Sequence, residues 1–91
     1  MNDSQWLVYL LECADGTLYC GVTTNMERRL GQHNGQVPGG ARYTQGRRPV
    51  RLLASRACGC KGDALRLELA VKSRPRHQKL QFLLDGESVS C

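Results

Sequence analysis

Two short apolar segments near the start of the chain constrain its fold more than any other feature. Trp6–Glu12 is apolar at successive positions, which is typical of a strand covered on both faces. Leu18–Val22 is predicted as the return strand, because Asp15-Gly16 between the two segments is a strong hairpin signal. A chain of 91 residues makes one domain, so the segments that follow have to cover this hairpin.

The region after the hairpin predicts a helix and then a loop. Thr24 as N-cap and Glu27 three residues later form a capping box, and the helix is expected to end near His33. Residues 35–48 are rich in Gly, Gln and Arg and are predicted as a long loop.

The second half of the chain predicts one strand and two helices. Pro49–Ser55 is predicted as the third strand. Asp63 is predicted to cap a second helix that runs to about Ser73, and Pro75 suits the first turn of a third. The inner face of the third helix is predicted to carry Leu80, Leu83 and Leu84.

The resulting order, ββαβαα, predicts an α+β fold in which helices flank a small three-stranded antiparallel sheet. Residues 1–91 are expected to form a single domain with its core at about 6–84 and a loose tail at 85–91.

Several classes of protein are excluded at this point. The longest unbroken apolar run, Trp6–Leu11, is far too short to span a membrane. The first five residues do not resemble a secretory signal, so a cytoplasmic location is expected. Five cysteines, an odd count, argue against a disulfide framework, and free thiols are expected.

The charge is uneven along the chain. Lys and Arg number 13 against 8 Asp and Glu, and ten of the bases but four of the acids lie in residues 47–91. Because arginine matches phosphate oxygens bidentately, the excess indicates a phosphate-rich partner, nucleic acid first. A solvated basic surface that only maintains solubility is the other interpretation.

The first helix has a buried stripe flanked by two functional candidates. On a helical wheel, Arg29 and His33 share one flank of this stripe, whereas Arg28 faces water. A cation and an imidazole held at the edge of a core can make a phosphate site. Equally, Arg29 can pack its stem on the core while backbone carbonyls satisfy His33 at the helix end.

The second helix is apolar nearly all round, and Glu68 is the acid within it. A carboxylate among apolar neighbours is costly unless it is paired or binds a metal. Two roles fit this position: an ion pair with Lys72 one turn on, or a ligand of one hard divalent cation such as Mg²⁺.

Tyr9 and Tyr19 both fall in the predicted hairpin, and the length of its loop decides whether they meet. A two-residue turn places them on opposite faces of the sheet, whereas a three-residue loop, Ala14–Gly16, places them on the same face. Two tyrosines on one face can orient a water beside a phosphate, so a shared site requires the odd-length loop. Ordinary aromatic packing is the alternative.

Together these residues resemble the GIY-YIG nuclease family, and its small stand-alone bacterial branch most closely. The resemblance rests on the spacing of Tyr9 and Tyr19-Cys20-Gly21, on the run from Arg29 to His33, and on Glu68 downstream, and it covers about Trp6 to Leu83. Arg42-Tyr43-Thr44 and the following Arg47-Arg48-Pro49-Val50 also look like that branch.

The resemblance implies a nuclease site that cuts a phosphodiester with a single Mg²⁺ or Mn²⁺ ion. In it, Tyr9 and Tyr19 would position or deprotonate water, Arg29 would stabilise charge on the phosphate, and His33 would relay a proton. Glu68 would hold the metal. The expected substrate contacts are Gly21, Arg42, Tyr43, Arg47, Arg48 and Lys72.

Two positions depart from the family pattern. Val22 stands where many relatives carry a basic residue, and no Asn follows Asn34, although several relatives use a downstream Asn. These departures bear on catalytic efficiency and not on the fold.

Three functions are compatible with these residues. The first is a metal-dependent endonuclease that cuts DNA, in preference to RNA, with little sequence specificity in repair or recombination. The second is a non-catalytic nucleic-acid binder, and the third is a protein-interaction module of a repair assembly. A homodimer is a further option, because a domain this thin can pair to hold a duplex.

Overall fold

The structure is a computed structural model that describes residues 5–85. Its elements are β1 Trp6–Glu12, β2 Leu18–Thr23, α1 Met26–His33, α2 Arg42–Gln45, β3 Arg51–Cys58, α3 Lys61–Lys72 and α4 Arg76–Asp85. The strands form one antiparallel sheet in the order β2-β1-β3. The α+β class and the three-stranded sheet flanked by helices are confirmed. Residues 86–91 of the predicted tail lie outside the described residues.

The hairpin has the odd-length loop on which a shared tyrosine face depends. The Cys13 amide donates to the Thr17 carbonyl at 2.8 Å, and the Gly16 amide donates to the Cys13 carbonyl at 2.9 Å. Gly16 has φ 82°, the left-handed conformation that closes a three-residue loop after a type I turn. Tyr9 therefore lies opposite Gly21, and Tyr19 lies opposite Leu11.

The third strand starts later than the sequence predicts and ends later too. Its predicted first residues, Pro49 and Val50, precede the ladder because Asn34 satisfies the backbone of Val50. The Asn34 side chain accepts from the Val50 amide at 2.7 Å and donates to its carbonyl at 2.9 Å. The ladder then continues to Cys58, which pairs with Trp6.

Two helix starts also differ from the prediction. Asn25, not Thr24, caps α1, and its side chain accepts from the Arg28 amide at 3.1 Å. In α3 the helix begins at Lys61, so Asp63 lies in the first turn and is buried against Arg66. In α1 the cap is a residue with a strong capping preference and an extended backbone, whereas in α3 the extended residue is Cys60, which makes no side-chain cap.

The predicted loop at 35–48 contains a short helix, α2. Its first turn is closed by the Ala41 carbonyl, which accepts from both the amide and the hydroxyl of Thr44, at 3.1 and 2.9 Å. Four residues are too few for a helix that forms on local preference alone. Burial of Thr44, which is fully inaccessible, stabilises it instead.

The sheet is covered by different helices on its two faces. We call the side that carries Tyr9, Leu11 and Cys13 the α1 face, since Met26 and Leu30 of α1 pack there. We call the other side the α3 face. There α3 and α4 contribute to a core of Val8, Leu10, Cys20, Ala64, Leu67, Val71 and Leu83.

The two helices on the α3 face each bury one stripe. Leu65 and Leu69 of α3 are 39% and 66% exposed, so the apolar run of this helix is not buried all round. In α4, Leu83 is fully buried as predicted, whereas Leu80 and Leu84 are 37% and 55% exposed. The prediction that all three face inward is wrong, because Phe82 packs beside Leu83 and turns the stripe toward it.

The state of the cysteines agrees only in part with the expectation of free thiols. Cys13, Cys20 and Cys58 are free thiols. Cys60 is disulfide-bonded, which corrects the expectation of free thiols throughout, because an odd count excludes a complete framework but not a single bridge.

Within residues 5–85, no helix has the length and apolar character needed to cross a membrane.

Candidate active site

The hairpin brings the two candidate tyrosines together on the α1 face. The rings of Tyr9 and Tyr19 lie with their centroids 6.4 Å apart. This is the diagonal arrangement that the three-residue loop predicts for residues on neighbouring strands. Tyr9 is buried at 1% exposure, whereas Tyr19 is half-buried.

Gly21 makes room for Tyr9. A Cβ built on Gly21 would lie 2.6 Å from Cζ of Tyr9. The phenol therefore lies directly across the backbone of β2, and any side chain at this position would displace it. The immediate role of this glycine is to let the Tyr9 ring pack against the backbone of β2.

Helix α1 supplies Arg29 and His33 to the same place, as its wheel predicts. His33 is fully buried and Arg29 is half-buried, whereas Arg28 is exposed. Both candidates reach the Tyr9 hydroxyl: Arg29 Nε donates to it at 3.3 Å, and His33 Nε2 lies 2.8 Å from it. The ring nitrogens of His33 contact side chains, so the alternative in which backbone carbonyls satisfy the imidazole is wrong.

Thr44 of α2 completes a buried hydrogen-bond chain. Its Oγ1 lies 2.9 Å from Nδ1 of His33, and its hydroxyl donates to the carbonyl of Ala41 at 2.9 Å. We call Tyr9, Tyr19, Arg29, His33 and Thr44 the tyrosine cluster. Sequence reasoning missed Thr44, and the signal that pointed to it was the resemblance of Arg42-Tyr43-Thr44 to the stand-alone branch.

Burial controls the protonation of the two central groups. It lowers the pKa of His33 to about 4, and the positive charges of Arg29 and Arg48 act in the same direction. Burial raises the pKa of Tyr9 to about 12, although the hydrogen bond and charge of Arg29 oppose the shift. At pH 7 the cluster therefore contains a neutral imidazole and a neutral phenol.

Arg29 is held in place by more than Tyr9. Its Nη1 donates to the side chain of Gln32 at 2.9 Å and to the carbonyl of Gly39 at 2.8 Å. The bond to Gly39 ties α1 to the glycine-rich loop that follows it. The guanidinium is thus fixed beside the Tyr9 hydroxyl, as a group that stabilises developing charge has to be.

An aromatic and cationic rim borders the cluster. Tyr19 packs its ring against His33 at 5.1 Å and against Tyr43 at 5.5 Å between centroids. The guanidinium carbon of Arg47 lies 4.1 Å from the centroid of the Tyr43 ring. Tyr43 is 37% exposed, so this rim faces solvent.

The other predicted substrate contacts have different surroundings. Arg47 pairs with Asp15 at 3.1 Å, and Arg48 Nε donates to the His33 carbonyl at 2.7 Å. Arg47 therefore also supports the hairpin loop, and Arg48 also supports the end of α1. Arg42 is exposed at the start of α2, whereas Lys72 lies in α3, away from the cluster.

Glu68 is also on the other side of the sheet. It belongs to α3, its side chain is 16% exposed, and it pairs with Lys72 at 3.2 Å. Burial raises the pKa of the Cys20 thiol to about 12, and the charge of Glu68 adds to that shift, so Glu68 lies near Cys20 in edge strand β2. The two neighbours of Cys20 in this strand, Tyr19 and Gly21, face the cluster.

Comparison with known proteins identifies the family. A family model described as the GIY-YIG catalytic domain matches residues 5–81. The chain belongs to the GIY-YIG family. This is a nuclease superfamily, and membership implies a nucleic acid substrate.

Relatives of this GIY-YIG chain are small proteins like itself. It is 55% identical over 81 residues to a UPF0213 protein of Nitratidesulfovibrio vulgaris, which covers 89% of this chain and 72% of that one. It is 45% identical over 80 residues to a UPF0213 protein of Cupriavidus pinatubonensis, covering 88% and 87%. The predicted resemblance to the stand-alone branch is confirmed.

Solved GIY-YIG relatives have the same fold. The solution structure of the UPF0213 protein BH0048 from Bacillus halodurans matches with a TM-score of 0.55 and 44% identity, covering 90% of this chain and 86% of that one. The solution structure of EF2693 from E. faecalis matches with a TM-score of 0.63 and 33% identity, covering 99% and 98%.

The GIY-YIG family uses a divalent metal, and the residues present allow one mode of binding. Among residues 5–85, no three His, Cys, Asp or Glu side chains come together as a ready-made metal cage. Mg²⁺ is nevertheless commonly held by one or two carboxylates, with waters and substrate phosphates as its other ligands. The half-buried carboxylate of Glu68 fits that mode, in which the substrate completes the site.

Proposed function

We propose that this protein is a metal-dependent endonuclease that hydrolyses phosphodiester bonds in DNA with little sequence specificity, in repair or recombination. The observation that carries the proposal is the buried contact of Tyr9 with both Arg29 and His33. A neutral phenol, a neutral imidazole and a fixed guanidinium meeting at one oxygen suit water activation beside a phosphate. Membership of a nuclease family supports the same conclusion.

In the proposed reaction, Tyr9 orients the attacking water, with Tyr19 beside it. The water oxygen bonds to phosphorus, the bond from phosphorus to the leaving oxygen breaks, and that oxygen takes a proton from solvent. The proton of the attacking water passes to the Tyr9 oxygen while the proton of Tyr9 passes to His33. The two transfers are concerted, because a pKa of about 12 makes a free Tyr9 phenolate costly at pH 7.

Arg29 acts on the phosphate. Its guanidinium is anchored by Gln32 and Gly39, so it stabilises the charge that develops on the phosphoryl oxygens without having to reorganise. A phosphate bound there also brings negative charge next to His33. That charge favours the protonated imidazole and assists His33 in accepting a proton.

Glu68 is the proposed metal ligand. A divalent ion bound there supplies Lewis-acid polarisation of the phosphate. We propose that the DNA backbone runs along the edge of β2, since this strand separates Glu68 from the cluster. Glu68 would hold the ion in place of its present partner Lys72, and Lys72 would then be available to a phosphate.

The rim and Arg42, which precedes Tyr43 in α2, account for the proposed lack of sequence preference. Arg42, Tyr43 and Arg47 offer cations and an aromatic ring, which contact phosphates and stack on any base.

The test is a nicking assay on supercoiled plasmid, with labelled single-stranded, duplex and branched DNA and an RNA of the same sequence. Wild type is compared with Arg29→Ala and Glu68→Gln in Mg²⁺, in Mn²⁺ and in EDTA. We expect metal-dependent cutting of DNA that each substitution reduces by about 10²–10⁴-fold.

Two matched controls make the result specific. Arg28→Ala removes the neighbouring arginine, which faces solvent, and Glu27→Gln removes an exposed acid of the same helix; both are expected to cut like wild type. Binding without cutting in every metal, unchanged by Arg29→Ala, would contradict the proposal. The protein would then be a nucleic-acid-binding module, with affinity that falls steeply with salt.

A further inference from the structure

The imidazole of His33 is clamped between two hydroxyl groups. On one side its Nε2 lies 2.8 Å from the Tyr9 hydroxyl, and on the other its Nδ1 lies 2.9 Å from Oγ1 of Thr44. His33 and Thr44 are both completely buried, and Tyr9 nearly so. Solvent water therefore does not compete for the two ring nitrogens of His33, whose protons are shared with protein atoms.

The directions of the protons can be assigned from the far end of the chain. The Thr44 hydroxyl has one proton, and we assign it to the 2.9 Å bond with the Ala41 carbonyl, which can only accept. Oγ1 of Thr44 is then an acceptor toward His33, and Nδ1 must carry the imidazole proton. A neutral imidazole has a single N–H, so Nε2 presents a lone pair to Tyr9.

The other end of the chain agrees with this assignment. Arg29 Nε can only donate, so the Tyr9 oxygen accepts from it at 3.3 Å. In the assigned tautomer Nε2 carries a lone pair, so the Tyr9 hydroxyl proton points at it. All donors therefore run in one direction, from Arg29 through Tyr9 and His33 to Thr44 and Ala41.

We propose that Thr44 is a positioning residue whose hydroxyl holds His33 in the Nδ1–H tautomer and thereby keeps Nε2 free to accept the proton of Tyr9. This inference rests on the proposed function for its catalytic consequence, but the tautomer itself is independent of any activity. In histidines generally, the hydrogen bond made by one ring nitrogen sets the tautomer and so determines whether the other nitrogen donates or accepts.

The groups around His33 keep it neutral, as this assignment requires. Arg29 lies on its own helix, and Arg48 donates to its backbone carbonyl at 2.7 Å. Its other titratable neighbours are the phenols of Tyr9 on β1 and Tyr19 on β2. Since the nearby charges are both positive, they oppose protonation of the ring, as does its burial.

The decisive measurement is the ¹⁵N NMR spectrum of the protein with labelled histidine. The chain has two histidines, and His77 is exposed on α4, so it serves as an internal reference. We expect wild-type His33 to carry its proton on Nδ1. Thr44→Ser, which keeps the hydroxyl, should leave this pattern unchanged, and Thr44→Val should shift the proton toward Nε2.

The activity arm separates positioning from simple structural support. Thr44→Val is expected to lower kcat about 10–100-fold with little change in KM, and Thr44→Ser to recover most of the loss. Thr24→Val, which alters a threonine outside the cluster, is the matched control. If both valine variants lose kcat and folded fraction equally, Thr44 has no specific positioning role in catalysis.

The experiments distinguish a wrong tautomer assignment from a wrong nuclease proposal. A wild-type His33 with its proton on Nε2 overturns the role of Thr44, whatever the activity and whether or not Thr44→Val folds. An Nδ1–H tautomer that Thr44→Val leaves unchanged also overturns it. A protein with the expected tautomers that cuts no DNA refutes the nuclease alone.

Discussion

The two faces of the sheet are buried to a similar degree but by different chemistry. The α3 face encloses apolar side chains, among them Val8, Leu10 and Leu83, all inaccessible to solvent. The α1 face encloses Tyr9, His33 and Thr44 at the same depth. Burying polar groups weakens a fold unless every one is hydrogen-bonded.

That condition is met on the α1 face. Among residues 5–85, no buried side-chain nitrogen or oxygen lacks a hydrogen-bond partner. The α3 face therefore supplies most of the hydrophobic stabilisation, whereas the α1 face holds reactive groups in fixed positions. Substitutions on the two faces should separate stability from activity.

The largest effect is expected from Tyr9→Phe on the α1 face. Cutting should fall by about 10²–10⁴-fold, because the water and His33 lose the group between them. Stability should fall by about 1–3 kcal/mol, since Nε2 of His33 is left unpaired. Plasmid nicking and urea unfolding measure the two effects. A phenylalanine variant that cuts at the wild-type rate would remove Tyr9 from the mechanism.

Leu10→Ala should give the opposite pattern on the α3 face. Removing a fully buried leucine costs about 2–5 kcal/mol of stability, whereas the cutting rate per folded molecule should stay unchanged. Leu69→Ala is the matched control, because Leu69 is 66% exposed and its loss should change stability by no more than about 0.5 kcal/mol. A selective loss of cutting in folded Leu10→Ala would show that the faces are coupled.

Acid should weaken the α1 face specifically. His33 has a pKa of about 4 when folded against about 6.5 when unfolded, so the unfolded state binds more protons between these values. Stability from this group is complete above pH 6.5 and is lost as the pH falls toward 4. Urea unfolding at pH 7 and 4.5 should differ by roughly 2–3 kcal/mol more in wild type than in His33→Gln. His77→Gln, in the exposed histidine, should behave like wild type.

Gly21→Ala tests how closely Tyr9 packs against the backbone of β2. The added methyl collides with the phenol, so we expect a loss of about 1–3 kcal/mol together with reduced cutting as Tyr9 moves away from His33. Gly46→Ala is the control, since a Cβ there meets nothing within 4 Å. Normal cutting by Gly21→Ala would mean that Tyr9 can shift without consequence.

The smallest effect on stability is expected from Lys72→Gln. Its pair with Glu68 joins an exposed and a half-buried side chain on α3, and such pairs contribute about 0.2–0.5 kcal/mol. If Lys72 contacts a phosphate, the salt dependence of DNA binding should weaken by about one unit of slope. Unfolding and filter binding at several salt concentrations measure both. A loss above about 1.5 kcal/mol would make this pair a structural element of the α3 face.

Local patterns predicted the parts of the site that depend on local geometry. The helical wheel placed Arg29 and His33 on one flank, and the two-residue period of strands showed that only an odd-length loop places Tyr9 and Tyr19 on one face. The sequence left the length of that loop open. Thr44 was missed because α2 forms through tertiary burial, for which a four-residue segment has no pattern of its own. The start of β3 was missed for a similar reason, since Asn34 replaces a strand partner for Val50.

The position of Glu68 shows a further limit. Its isolation among apolar residues marked it as unusual, but the face on which α3 packs depends on the whole sheet. The sequence pattern of α3 does not predict which face of the sheet the helix covers, and it covers the face opposite to the tyrosines. The sheet edge at β2, where the two sides meet, is a property of the assembled fold.

The three-residue hairpin loop also restricts how genes for this domain can change length. Gain or loss of a single codon between Cys13 and Thr17 reverses which residues of β2 look toward α1, so Tyr19 and Gly21 exchange places with Cys20. Changes of two codons preserve the facing. Where the tyrosine cluster is retained, insertions and deletions in this loop should therefore come in pairs of residues.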